Sequence, residues 1–171
     1  MLHSHHGLTT EPGAERSLNL AGRSLTALPE ELRGMPALAH LNVDRNALQQ
    51  LPEWLGELGR LQSFSAYDNS LAAVPAALFS LRQLRVLNLA DNGLHALPDT
   101  IGQLGELRML DIGHNHLTVL PDSLCTLAKL EFLYASDNGL AAAPAGLDGL
   151  PALRYLNLTD NSLTGLPEAL G

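Results

Sequence analysis

LRVLNLADNGLHALPDTIGQL, running from Leu84 to Leu104, decides the fold. Leu87 and Leu89 flank Asn88, and this apolar–polar alternation marks a short strand with one buried face. Asn92 follows where the chain leaves the strand. Turned inward, its amide can satisfy backbone groups that would otherwise be buried unpaired. Leu97-Pro98 then ends the extended stretch, because proline supplies no N–H to a ladder. Ile101 and Leu104 follow at the spacing of a short helical or 3₁₀ turn, which carries two apolar side chains back toward the core.

The next stretch, LRMLDIGHNHLTVLPDSLCTL from Leu107 to Leu127, repeats the pattern. Asn46, Asn69, Asn92, Asn115, Asn138 and Asn161 recur at one constant step, without insertion or deletion. Pro29, Pro52, Pro75, Pro98, Pro121, Pro144 and Pro167 keep the same 23-residue period. A fixed period of this length identifies a repeat array. Each full coil returns the chain to its starting direction, so the strands stack in parallel. No coil buries its apolar face alone, and stability comes from stacking on neighbours. We expect residues 1–14 to form a flexible N-terminal segment or thin cap. Residues 15–171 then hold about seven such units, the first degenerate at Glu15 and Arg23 and the last cut short at Gly171.

Composition excludes the competing classes. Forty of 171 residues are leucine, yet the longest mostly apolar run, Leu71 to Leu81, contains Pro75 and is too short to span a bilayer. Ten scattered prolines and fifteen glycines rule out a continuous coiled coil. With 46% hydrophobic and 16% charged residues the chain can bury a core, so disorder is excluded. A net charge of −8, with nine arginines and one lysine, argues against a nucleic-acid partner. Cys125 is the single cysteine and asks for no oxidising compartment. The N-terminus shows no secretory pattern, so a cytoplasmic location is expected, with delivery into a host cell as the alternative.

These residues resemble the leucine-rich-repeat family. The pattern L-x-x-L-x-x-L-x-L-x-x-N-x-L-x-x-L-P-x-x-(I/L), with its 23-residue period, is similar to the intracellular, Ras-group-related class of that family, and covers Glu15 to Gly171. The resemblance implies an α/β fold: a curved, horseshoe-shaped solenoid with a parallel sheet on the concave face and short helical or 3₁₀ turns on the convex face. It also implies a partner bound on the concave sheet. Richness in leucine and alanine, with arginine over lysine, suggests a bacterial source with a GC-rich genome.

Departures from the pattern mark soft points. Ala66 and Ala135 replace a large strand-core residue, and Ala143 replaces the leucine before proline. Units three and six are the expected weak units, with Phe64 compensating in unit three. An unfilled leucine-sized gap costs about 2–5 kcal/mol.

Five positions per unit are expected to face solvent on the concave side: two after the first leucine, one between the strand leucines and two before the asparagine. Four of the seven aromatic residues, Tyr67, Phe132, Tyr134 and Tyr155, occupy these slots. Val86, Met109, Phe132 and Tyr155 form one column on successive strands. Arg85, Arg108 and Arg154 flank it, with Glu131 interrupting the basic row, and Asp111 is a further polar neighbour. Aromatic rings beside arginine are residue types that dominate protein–protein hot spots. Cross-strand pairing on an ordinary sheet is the alternative account of the same column. We expect a protein or peptide partner here.

Other chemistry-bearing residues have plainer readings. Asp68, Asp91, Asp137 and Asp160 precede the repeat asparagine, with Arg45 and His114 in the same slot; a short acceptor there is expected to bond local N–H groups. His3, His5 and His6 lie in an unpatterned terminus, and His114 and His116 are expected to diverge into solvent, so no metal site is expected. Cys125 is grouped with Gly56, Phe79 and Gly102 on the convex turn and is expected to be inert, and Trp54 to be a partly packed convex ring. No phosphate loop, nucleophile elbow or metalloprotease signature appears, so neither catalysis nor a cofactor is expected. The expected function is a non-enzymatic binding scaffold in signalling. The alternative is the recognition arm of a larger bacterial kinase, GTPase or ubiquitin ligase. A monomer is expected, with end-to-end dimerisation through the terminal coils as the alternative.

Overall fold

The computed structural model describes residues 16–165. His3, His5, His6, Glu15, Pro167 and the truncation at Gly171 lie outside the described residues. Within them the 23-residue period becomes seven coils, each opening on a three-residue strand. The strands are β1 (Ser17–Asn19), β2 (His40–Asn42), β3 (Ser63–Ser65), β4 (Val86–Asn88), β5 (Met109–Asp111), β6 (Phe132–Tyr134) and β7 (Tyr155–Asn157). They pair in parallel, in chain order, as one open seven-stranded sheet. The register is the repeat itself: Leu41 pairs Phe64, Phe64 pairs Leu87 and Leu87 pairs Leu110, each pair one full period apart.

Behind the sheet, short 3₁₀ turns return the chain, as the P-x-x-L-x-x-L pattern predicts. Pro29, Pro52, Pro75, Pro98 and Pro121 each sit at the N-cap of a five-residue turn. A proline carbonyl opens each turn, as where the Leu78 N–H donates to the Pro75 oxygen. The sixth turn, Leu147–Gly149, has three residues and starts from Gly146. The Leu147 N–H still donates to the Pro144 oxygen, but the turn is two residues shorter than those of coils one to five.

The core is a stack of leucine ladders between sheet and turns. Leu48, Leu71, Leu94, Leu117 and Leu140 are all fully buried, one per coil. Ala66 and Ala135 are fully buried as well, and coil three answers its alanine with two fully buried rings, Phe64 and Phe79. Phe79 therefore fills core volume and does not lie on the outer surface of its turn as the sequence grouping suggests. Coil six has no such ring beside Ala135, and Ala143 there is only partly buried. Trp54 is likewise more buried than expected, packing into the core at 8% exposure.

The repeat asparagines bind successive coils together. Asn115 is buried; its Nδ2 donates to the Leu89, Ile112 and Gly113 carbonyls, and its Oδ1 accepts the Leu94 N–H. Asn46, Asn69, Asn92, Asn138 and Asn161 repeat this arrangement in their own coils. In coil one, where Arg23 takes the asparagine slot, Asn46 of coil two accepts both the Arg23 and Leu25 N–H groups.

The concave face as candidate binding site

Each concave residue is placed by the strand register. Val86 pairs Met109, Met109 pairs Phe132 and Phe132 pairs Tyr155, so the predicted column exists on four adjacent strands. Phe132 and Tyr155 are 36% and 46% exposed, although both are large and apolar. Val86 and Met109 are half-buried. Tyr134 lies on the same face one pleat away, its ring centroid 5.0 Å from that of Tyr155 at an interplanar angle of 38°. Tilted, offset contact of this kind suits aromatic quadrupoles and fixes both rings in place.

Arginines line the column at the N-terminal ends of the strands. Glu131 does not interrupt this row; it ties it together. Its carboxylate accepts Arg108 Nη1 at 2.8 Å and lies 3.5 Å from Arg154 Nη1. Both guanidinium groups are thus held beside Phe132 while remaining largely exposed. Arg85, in coil four, is exposed and makes no ion pair among the described residues.

Tyr67 stands apart from this group. It is half-buried in coil three, three strands and about 14 Å from the Phe132 cluster at a strand spacing near 4.8 Å. Its slot, two residues before the asparagine, also holds Ala90, which is 4% exposed, and the buried Gly113. This slot is therefore buried in coils four and five, half-buried at Asp44, Tyr67 and Ser136, and exposed at Thr159. With strands of three residues, the chain is already turning inward at this slot.

Asp111 has a second role that its sequence neighbourhood hides. Its Oδ1 accepts the Gly113 N–H, as Asn19, Asn42, Asn88 and Asn157 accept the N–H two residues on in their coils. The asparagine recurs at the last strand position, which reads in the sequence as a solvent-facing slot, so this second side-chain ladder was hidden there. Burial pushes the Asp111 carboxyl up, against the opposing pull of the Gly113 N–H and the His114 charge. In coil three Ser65 replaces the asparagine, and the Asp44 carboxylate of the neighbouring coil takes the Tyr67 N–H and the Ser65 hydroxyl.

The acidic column has a different cause from the one expected. Arg45, Asp68, Asp91, His114, Asp137 and Asp160 all have φ between 51° and 55°. Aspartate tolerates this left-handed conformation better than most residues, and that is why it recurs. Among the described residues these four carboxylates accept no backbone N–H; Asp137 instead takes His114 Nδ1 at 2.7 Å. His114 and His116 are both exposed, as expected, and each has a neighbour on the surface: His114 pairs with Asp137, and His116 lies against His95 with ring centroids 5.4 Å apart. Cys125 is half-buried with its thiol pushed up by burial, consistent with an unreactive side chain. Among the described residues no three His, Cys, Asp or Glu side chains gather into a metal-sized group, and no helix is long and apolar enough to cross a membrane.

Comparison with known proteins matches residues 75–171 to the family model described as leucine-rich repeat region. The chain belongs to the leucine-rich-repeat family. Solved leucine-rich-repeat proteins share the fold. One is the leucine-rich-repeat ectodomain of the plant membrane receptor kinase GASSHO1/SCHENGEN3 from Arabidopsis thaliana, in complex with CASPARIAN STRIP INTEGRITY FACTOR 2. It is 32% identical with a TM-score of 0.79, over 84% of this chain and 18% of that one. YopM from Yersinia enterocolitica is 32% identical with a TM-score of 0.75, over 90% of this chain and 31% of that one. The plant peptide hormone receptor RGFR1, in complex with RGF2, is 29% identical with a TM-score of 0.72, over 77% of this chain and 22% of that one. This leucine-rich-repeat chain thus spans less than a third of the length of each of these structures. No curated protein sequence matches it.

Proposed function

We propose that this leucine-rich-repeat chain is a binding module, acting in signalling without catalysis, that takes a protein or peptide on its concave sheet. The observation that carries this reading is the column Met109, Phe132, Tyr155, with Phe132 and Tyr155 left 36% and 46% exposed on adjacent strands. Large apolar rings on an exposed face cost solubility unless a partner covers them. Tyr134 stiffens the patch from one side, and the Glu131-tethered Arg108 and Arg154 offer charge-assisted donors on the other. Aromatic and arginine anchors of this kind dominate interface energetics. Asp111 adds a single carboxylate to a column otherwise rich in asparagine, a place where a partner's cation can be met.

The structural neighbours solved with bound ligands support the reading by analogy. A cytoplasmic setting is proposed from the lone, half-buried Cys125, and a bacterial source from composition. The test is Phe132→Ala combined with Tyr155→Ala. The variant should retain the wild-type circular dichroism spectrum and lose partner capture; capture at the wild-type level rejects the concave patch.

A second reading is that these coils are the recognition arm of a longer bacterial kinase, GTPase or ubiquitin ligase. The small share of each structural neighbour that the chain spans favours it. Reading the gene beyond codon 171 decides: a stop codon there rejects it.

A further inference from the structure

The row of residues immediately before each strand runs Arg16, Ala39, Gln62, Arg85, Arg108, Glu131 and Arg154. Coil two alone puts alanine there, and Ala39 is buried at 8% exposure. Two residues earlier, Ala37 stands where the next four coils carry Arg60, Gln83, Glu106 and Lys129. Two short side chains side by side in rows of long polar ones leave a notch at the rim of the sheet. Its volume is about 380 Å³, and Arg16, Arg60, Gln62 and Gln83 wall it.

The notch is cationic in an acidic chain of net charge −8. Arg33, Arg108, Lys129 and Arg154 are engaged in ion pairs with glutamates. Among the described residues neither Arg16 nor Arg60 is paired, and no carboxylate lines the notch. Guanidinium groups present planar, forked donors that match oxyanions. The Gln62 and Gln83 amides add N–H donors without adding charge.

We propose that this notch binds a phosphate monoester. Arg16 and Arg60, unpaired among the described residues, line one cavity, and two such cations match a phosphate monoester, mostly dianionic at neutral pH, better than they match a single carboxylate. The walls come from three successive coils, so the arginines are separated by rigid stacking and not by a flexible loop. The notch is roomy and open on one side, which leaves space for the esterified group. It lies beyond the Phe132 cluster, on coils one to three, and does not depend on the concave reading. The phosphate can belong to a free small molecule or to a phosphorylated side chain of a protein partner.

The test is a titration of the full ¹⁵N-labelled chain with inorganic phosphate at constant ionic strength, with sodium acetate as the control anion. Phosphate should give saturable shifts at the Ala39 and Gln62 amides, and acetate should not. Ala39→Gln, which restores the side chain that coil three carries, should weaken phosphate binding about tenfold or more. Arg60→Gln should do the same, and Arg82→Gln, whose guanidinium is bonded to Gln103 on the next turn, should leave it unchanged. A phosphoserine tripeptide binding more tightly than inorganic phosphate assigns the source to a phosphorylated side chain; equal affinity assigns it to a free phosphate. Arg60 is exposed and Ala39 is buried, so circular dichroism checks that each variant is folded. Shifts that never saturate, or equal affinity in wild type, Ala39→Gln and Arg60→Gln, overturn the proposal.

Discussion

At the scale of single residues, Asn115 shows how polar atoms hold an apolar stack. Its amide serves three carbonyls and one N–H drawn from two coils, all out of reach of water. Asn115→Ala leaves several of these groups without a partner, and each buried unpaired group costs about 1–3 kcal/mol. Urea denaturation should show a loss of at least about 2 kcal/mol; a loss under about 0.5 kcal/mol, the size of an ordinary surface substitution, contradicts the role. Asp111 gives a prediction of opposite sign. Burial raises its carboxyl pKa above the unfolded value, so ionisation is less favourable in the folded chain. Its contribution is then fully present below the unfolded pKa and is lost as pH rises through the folded pKa. Asp111→Asn keeps the acceptor for the Gly113 N–H and is the residue that β1, β2, β4 and β7 carry at this position. The variant should be more stable at neutral pH, with the gain shrinking as pH falls into the carboxylate range. A gain independent of pH contradicts the assignment. The asparagine ladder was legible in the sequence because its period never breaks. The Asp111 ladder was not, because an asparagine facing outward from a strand gives no sign that it bonds its own turn.

At the scale of elements, the strands and turns follow from the repeat, but their closeness does not. Gly56 and Gly102 sit where stacked 3₁₀ turns approach each other. A Cβ at Gly56 would lie 2.5 Å from the Ala77 carbonyl oxygen, and one at Gly102 would lie 2.9 Å from that of Ser123. Backbone must move to admit either methyl group. Gly56→Ala should therefore destabilise by about 1–3 kcal/mol, the usual cost of overpacking, although alanine is the better helix former. An unchanged urea midpoint would show that the turns are free to separate. In the sequence these glycines stand only as members of a convex-turn column. Phe79, in the same column between them, reads as a surface residue until the stacking places it in the core. The slot two residues before the asparagine is buried in coils four and five for a similar reason: strands of three residues let the chain turn inward early there.

At the scale of the whole molecule, two alanine coils that look alike in sequence are packed differently. Coil three buries Phe64 and Phe79 fully alongside its Ala66 in the core, whereas coil six has Ala135, Ala143 and a shortened turn. The Leu71 and Leu140 N–H groups make the same bond to a repeat asparagine, each at 3.0 Å. Native-state hydrogen exchange should nevertheless be at least about tenfold faster at Leu140 than at Leu71, an opening free energy lower by ~1.4 kcal/mol. Equal protection contradicts a soft sixth coil. The fold as a whole was legible from one 23-residue period, and the aromatic column followed from it directly. Less legible were the features that depend on what a neighbouring coil lacks: the notch at Ala39, the Glu131 tether and the exposed Val119. Val119 is 63% exposed and lies outside the strands, which makes it a control for apolar exposure away from the aromatic column. The most direct measurement compares the dissociation rate of a captured partner from wild type, from Phe132→Ala with Tyr155→Ala, and from Val119→Ala. We predict dissociation at least about tenfold faster from the double variant, since anchors govern residence time, and a wild-type rate from Val119→Ala. A folded double variant that releases its partner at the wild-type rate contradicts binding on the concave face.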